Sequence, residues 1–153
     1  MQFYNTLNRK KEKFHPIKKG KVSLYTCGPT VYDFAHIGNL RAFLFEDILR
    51  RYLEFMNFEV LHVMNITDID DKTIRRSKEE GQSLVDFTNK YTEAFFEDLQ
   101  LLNIRLAHYY PRATEFIPQM INTIQKLEKK GFTYTVDDGS VFFKISQFPK
   151  YGR

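Results

Sequence analysis

The sequence predicts an α/β fold built on parallel strands, and three observations carry that expectation. Residues 22–26 are a short apolar, β-prone run that stops at the sole cysteine, Cys27, and a Gly28-Pro29 turn. A helical pattern of apolar residues begins near Ile37. A second strand-like run, residues 60–66, follows a stop at Asn57. Strand, helix and strand in that order make a right-handed βαβ unit whose two strands end on the same edge of a sheet. Open α/β sheets bind their ligands at that edge.

The elements follow in order. Residues 3–7 mix apolar and polar side chains and suit an edge strand or arm. Residues 9–21 form a basic connector, with Arg9, Lys10, Lys11, Lys13, Lys18, Lys19 and Lys21 against the single acid Glu12, interrupted by Pro16 and Gly20. Such a run can face phosphates, or it can be a solvated loop. In the first helix, Leu40, Phe43, Leu44, Asp47, Ile48, Arg51 and Tyr52 fall at helical spacing and give one face to lay on a sheet. Asn57 tolerates the left-handed conformation that ends helices.

After the second strand come Asp68, Asp70 and Asp71, then a short charged helix to Glu80 with a Gly81 stop. Ser83 and Asp86 make a Ser-x-x-Asp capping pattern ahead of a helix to about Leu102, striped by Leu84, Phe87, Tyr91, Ala94, Phe95, Leu99 and Leu102. Pro111 breaks the chain. Thr114 is expected to cap a further helix with the stripe Ile117, Ile121, Ile124 and Leu127. Pro118 fits its first turn, where N–H groups have no helical partner, and Gly131 ends it. Asp137-Asp138-Gly139-Ser140 between residues 132–136 and 141–145 reads as a β-hairpin.

The size suits one real core, since a chain near this length buries about 70% of its unfolded surface. One cysteine forms no intramolecular disulfide, which fits a reducing compartment. No apolar run reaches membrane-spanning length, and the N-terminus turns basic where a signal peptide would turn apolar. A cytoplasmic location is expected.

Three groups of residues can carry chemistry. His36 and Asn39 lie three apart at a helix start, so their side chains share a side. Both can donate to phosphate oxygens where the helix N-terminus already favours anions. Gly38 between them would let a flat base approach the backbone. The plainer alternative is that His36 and Asn39 only cap the helix. Cys27 is either a small buried hydrophobe or a soft metal ligand; zinc needs about four ligands, and neither His62 nor His108 has ligand-like spacing to it. The acids can hold magnesium or a substrate ammonium, or they can cap the next helix; capping suits Asp70 and Asp71. Thr67 and Asp68 stay open for binding because they lie nearest the strand tip.

Together these residues resemble the cysteinyl-tRNA synthetases, a family of class I aminoacyl-tRNA synthetases. The resemblance rests on Tyr25-Thr-Cys-Gly-Pro-Thr-Val-Tyr-Asp33, His36-Ile-Gly-Asn39, Asn65-Ile-Thr-Asp-Ile-Asp-Asp-Lys72 and Pro111-Arg-Ala-Thr114, with Asp138-Gly-Ser-Val-Phe-Phe and Phe148-Pro-Lys-Tyr-Gly152 toward the end. It implies the first half of a Rossmann-type nucleotide fold over residues 1–110 and the start of an inserted α+β connective region over 111–153. It implies that Cys27 is one of four zinc ligands, the others lying beyond Arg153. His36, Gly38 and Asn39 fall on the family's ATP-binding HIGH signature, with Asn39 in place of the last histidine, and His36 and Asn39 take the catalytic roles. Gly28, Thr30, Thr67 and Asp68 fall at substrate-binding positions.

The implied reaction activates L-cysteine with ATP and magnesium and passes it to tRNA(Cys), in an enzyme expected to be monomeric. The second half of the nucleotide fold, the lysine-bearing KMSKS loop and the anticodon-recognising region belong to the family and are not among these 153 residues, so this portion alone is expected to be inactive. Two other readings remain. One is a mycothiol-type ligase joining cysteine to an amino-sugar, told apart by the lack of an anticodon-binding region. The other is a stand-alone domain that binds nucleotide or RNA through its basic arm.

Overall fold

The computed structural model describes residues 1–152, which fall into two compact units. One is residues 15–115; the other joins residues 1–14 with the described residues from 116 onward.

The chain opens with β1 (Gln2–Asn5) and β2 (Lys10–Lys13), an antiparallel pair with Gln2 opposite Lys13 and Asn5 opposite Lys10. Part of the expected basic connector is therefore a strand. Its Lys-Lys-Glu-Lys sequence carries no apolar alternation to announce it. The turn is held by Glu12, whose carboxylate accepts the side-chain amides of Asn5 at 2.8 Å and Asn8 at 2.9 Å.

In the unit spanning residues 15–115, β3 (Lys21–Thr26) and β4 (Glu59–Met64) run parallel and in register, Lys21 opposite Glu59 and Thr26 opposite Met64. Helix α1 (Ile37–Phe55) makes the crossover. Asn57 follows at φ 63°, the left-handed stop its side chain tolerates. On the other side of β4 lies an extended segment that Pro111 did not foretell. Met64 donates its N–H to the Tyr109 carbonyl at 3.0 Å, Ile66 to the Pro111 carbonyl at 2.9 Å, and Ala113 to the Ile66 carbonyl at 3.0 Å. Isolated parallel bridges join Val63 to Tyr109 and Ile66 to Arg112. Pro111 contributes only its carbonyl, so its missing N–H costs nothing.

Helices α2 (Asp71–Glu79) and α3 (Leu84–Leu101) intervene. Asp70 caps the first by accepting the Thr73 N–H at 2.8 Å, and Ser83 caps the second by accepting the Asp86 N–H at 3.1 Å. Val31, Phe43, Met64, Ile66, Phe87, Tyr91, Phe95 and Leu99 form the core, with Phe43 edge-on to Phe95 and Phe87 edge-on to Tyr91. Burial of each such aromatic contributes roughly 1.5–3 kcal/mol. The inward face of α1 is more polar than expected: Asp47 and Arg50 are buried, whereas Ile48 and Tyr52 are exposed. The Asp47 carboxylate accepts from Arg51 Nε at 2.7 Å and from the Arg105 backbone at 3.1 Å. Arg50 donates to the Leu106 carbonyl at 2.6 Å. Both charges therefore enter the interior already paired.

A short 3-10 turn (Ala113–Phe116) leads into α4 (Ile117–Lys129), with Pro118 in the first turn. Thr114 does not cap α4, which has no side-chain cap. Its N–H and hydroxyl are both directed to Asp68 instead. The hairpin β5 (Thr133–Thr135) and β6 (Val141–Phe143) forms as expected, antiparallel, and its turn is fixed by Asp138 accepting the Ser140 N–H at 2.8 Å. No residue of α4 is buried. Among the described residues no helix is long and apolar enough to cross a membrane.

Candidate active site

A cavity of about 430 Å³ opens where β3 ends. Residues 27–36 form its rim, the first turn of α1 one wall, and Tyr91 and Phe95 of α3, with Phe43, its apolar floor.

The start of α1 explains the polar wall. His36 is the N-cap, and its Nδ1 accepts the Gly38 N–H at 3.0 Å. Asn39 answers by accepting the His36 N–H on Oδ1 at 3.2 Å. Backbone N–H groups can only donate, so the reciprocal cap fixes what remains. With Nδ1 accepting, the neutral imidazole carries its proton on Nε2. With Oδ1 accepting, Asn39 offers its NH₂. Neither donor has a partner among the described residues, and both side chains are exposed. The cap thus leaves both side-chain donors available at the cavity that His36 and Asn39 line. Gly38 is required for it, since a Cβ there would lie 2.8 Å from His36 Cε1. The space expected for a base is taken by the imidazole.

The loop after β3 is pinned to the tip of β4. Gly28 donates its N–H to Asn65 Oδ1 at 3.1 Å, and Tyr25 donates its hydroxyl to the same oxygen at 2.9 Å. Asn65 Nδ2 donates to Thr67 Oγ1 at 3.0 Å. Further along, Thr67 donates its N–H to the Pro29 carbonyl at 3.0 Å, and Val31 donates to the Thr67 carbonyl at 3.2 Å. Cys27 is held between Thr26 and Gly28 with its thiol exposed at the rim. Thr26 is buried, and its Oγ1 lies 2.9 Å from His62 Nε2. Burial holds the His62 imidazole below its usual value and pushes the nearby Glu46 carboxyl above its own.

Of the residues singled out in the sequence, Cys27, Gly28, Thr30, His36, Gly38 and Asn39 line this cavity. Thr67 and Asp68 do not; they stand behind the rim. Asp68 is buried and accepts the Thr114 N–H at 3.0 Å and its hydroxyl at 2.6 Å, with Arg112 Nη1 3.8 Å away. Among the described residues no three of His, Cys, Asp and Glu gather into a metal-holding group. Cys27 is one soft donor, and the residues present do not by themselves make the four-donor site that structural zinc takes.

Sequence reasoning assigned no role to Asn65, Lys72 or Asp33. Lys72 Nζ lies over the Tyr32 ring, 4.8 Å from its centroid. Asp33 is ion-paired to Arg76 at 2.6 Å, and that guanidinium holds its carboxyl below the usual range. The only available signal was that Asn65 and Lys72 bound the Asn-Ile-Thr-Asp-Ile-Asp-Asp-Lys segment.

The fold has a solved counterpart. A LeuRS of Agrobacterium radiobacter K84, determined in a ternary complex with tRNA and LeuAMS, superposes with a TM-score of 0.64 at 20% identity, over 78% of this chain and 16% of that one. The scaffold is therefore that of a class I synthetase catalytic domain. The family of class I (C) tRNA synthetase catalytic domains matches residues 13–153, and the chain belongs to it. Among its relatives, the cysteine–tRNA ligase of Brachyspira hyodysenteriae is 57% identical over 150 residues, which is 98% of this chain and 31% of that protein. That of Methanosarcina acetivorans is 56% identical over 153 residues, 100% of this chain and 32% of the relative. The ligase of Chlamydia pneumoniae is 54% identical over the same length, again 32% of the relative. The chain thus spans about a third of the length of these curated relatives.

Proposed function

We propose that this chain carries the first half of the active site of a cysteine–tRNA ligase. The observation that supports it most is the reciprocal cap of α1, which leaves His36 Nε2–H and the Asn39 NH₂ without partners among the described residues, on the cavity that the exposed Cys27 also lines. In the first step an oxygen of the cysteine carboxylate attacks the α-phosphorus of magnesium-bound ATP, and the bond to pyrophosphate breaks. In the second, a hydroxyl of the terminal ribose of tRNA(Cys) attacks the adenylate carbonyl and AMP leaves.

Displacement at phosphorus depends chiefly on position and on charge stabilisation. The His36 and Asn39 side chains and the positive end of the α1 dipole supply both to the phosphate oxygens, and Gly38 keeps the imidazole in place. Gly28 and Thr30 border the amino-acid side of the cavity; Thr67 serves the substrate through the rim it holds, and Asp68 by fixing Thr114 and Arg112 behind it. Cys27 would be one donor to a zinc ion whose other donors would come from outside the described residues. Bound there, zinc would supply a Lewis acid that prefers a thiolate to serine's hydroxyl, a distinction that shape alone makes poorly. Residues 1–110 belong to the nucleotide fold and 111–153 open its connective region. The intact enzyme acts in the cytoplasm as a monomer.

The test is the acceptor. Intact protein given ATP and radiolabelled cysteine charges tRNA(Cys) and leaves a glucosamine–inositol acceptor unmodified. Transfer to the amino-sugar, or to neither, overturns the assignment.

A further inference from the structure

Among the described residues Lys72 is the one lysine lining the cavity, and its surroundings leave its charge unspent. It occupies the first turn of α2, where the positive end of the helix dipole disfavours a cation. Among the described residues it makes no ion pair; its ammonium rests on the face of Tyr32, 4.8 Å from the ring centroid. Two other cations near this rim are occupied, Arg76 by Asp33 at 2.6 Å and Lys90 by Glu80 at 3.7 Å, and among the described residues Asp33 is the only acid lining the cavity. The Asp33 pairing cancels the cavity's one negative charge and leaves Lys72 unopposed. The same cavity is bounded by the His36 and Asn39 donors and the N-terminus of α1. One space thus receives positive potential from two helices, α1 through the positive end of its dipole and α2 through a side chain.

We infer that Lys72 is a substrate-binding residue that holds the phosphate chain of ATP, moving off Tyr32 to meet it. The inference rests on the proposed activity, to which it adds a binding group from this half of the site. A lysine acts on phosphate as a mobile point charge, so it needs no fixed fork geometry and can park on an aromatic ring when no anion is present.

The test measures binding of ATP, inorganic pyrophosphate, adenosine and cysteine to the intact protein, its Lys72→Gln and Lys72→Arg variants, and Lys78→Gln as a control on the same helix. Lys72→Gln weakens ATP and pyrophosphate about tenfold and flattens the salt dependence of their binding, while adenosine and cysteine are unchanged. Lys72→Arg restores most of the loss, and Lys78→Gln binds like wild type. ATP binding that is equal in wild type and Lys72→Gln overturns the role of Lys72 and leaves the ligase assignment standing. A loss confined to cysteine overturns the phosphate assignment. Wild-type protein that binds no ATP overturns both.

Discussion

Gly28 and Asn65 are locked face to face at the tips of the two central strands. The Gly28 N–H is bonded to Asn65 Oδ1 at 3.1 Å, and a Cβ on Gly28 would lie 1.8 Å from the Asn65 backbone carbonyl oxygen. Only glycine can stand there. The consequence falls on the neighbouring residue, because the position of the Cys27 thiol is set by the peptide that Asn65 holds.

Gly28→Ala cannot be absorbed by a side-chain rotation, since the obstacle is backbone. The rim must move away from β4 or the strand pair must part. The expected loss is about 1–3 kcal/mol of stability, comparable to overpacking a core, together with weakened cysteine binding. Thermal unfolding and cysteine affinity of the variant check this; wild-type values for both would mean the rim is not clamped.

Asn65→Ala removes the acceptor shared by Gly28 and Tyr25 and the donor to Thr67. Tyr25 is exposed and Gly28 and Thr67 are half-buried, so each lost bond costs about 0.5–1.5 kcal/mol. In the intact enzyme the KM for cysteine rises about tenfold or more, by the same energy scale, and the KM for ATP changes less. Asn65→Asp keeps the acceptor and recovers part of the cysteine affinity. Equal changes in the two KM values would show a general loss of structure in place of a positioning role.

His36 combines a cap with a donor, and the two can be separated. His36→Ser keeps an N-cap oxygen for Gly38 and loses the Nε2–H donor; His36→Ala loses both. Loss of the cap costs about 1 kcal/mol of stability. Adenylate formation falls about 10²-fold or more in both variants, because charge stabilisers act on the transition state. Pyrophosphate-exchange rates of His36→Ser near wild type would reduce His36 to a cap.

His62 makes stability depend on pH. Burial lowers its folded value below the ordinary 6.5, so the unfolded chain binds the proton more readily. The stabilising neutral form is complete above pH 6.5 and is lost as pH falls below that value. Glu46 works in the opposite sense: its folded value is raised above 4.5, so its contribution is present below that pH and is lost as pH rises through the raised value. The melting temperature of wild type should fall between pH 7.5 and 5.5 more steeply than that of His62→Gln. Parallel curves for the two proteins would remove His62 from the account.

Much of this arrangement is legible in the sequence, because local signals and tertiary structure agree along most of the chain. The βαβ unit, the caps at Asp70 and Ser83, the Asn57 stop and the Asp-Gly hairpin each follow from a few adjacent residues. What is not legible depends on distant partners. Residues 108–113 lie beside β4 through backbone bonds that side-chain pattern does not encode. Asp47 and Arg50 are buried because Arg105 and Leu106 come to meet them. Thr114 has the form of an N-cap, but Asp68, 46 residues earlier, takes both its donors. In the site, the residue types at the rim were readable, whereas the hub at Asn65 and the ammonium of Lys72 appear only when two loops and two helix starts converge.

Cysteine-dependent exchange of pyrophosphate into ATP tests the central claim most directly, measured on the intact protein with cysteine and with serine, and on residues 1–153 alone. The intact wild type should exchange with cysteine and not with serine, and Cys27→Ser should lose both bound zinc and cysteine-dependent exchange. The 153-residue chain should show no exchange, since it supplies the α1 donors and one thiol but not a complete site. Robust exchange by those residues alone, or an intact Cys27→Ser protein with unchanged zinc and unchanged preference for cysteine, would contradict the roles assigned here.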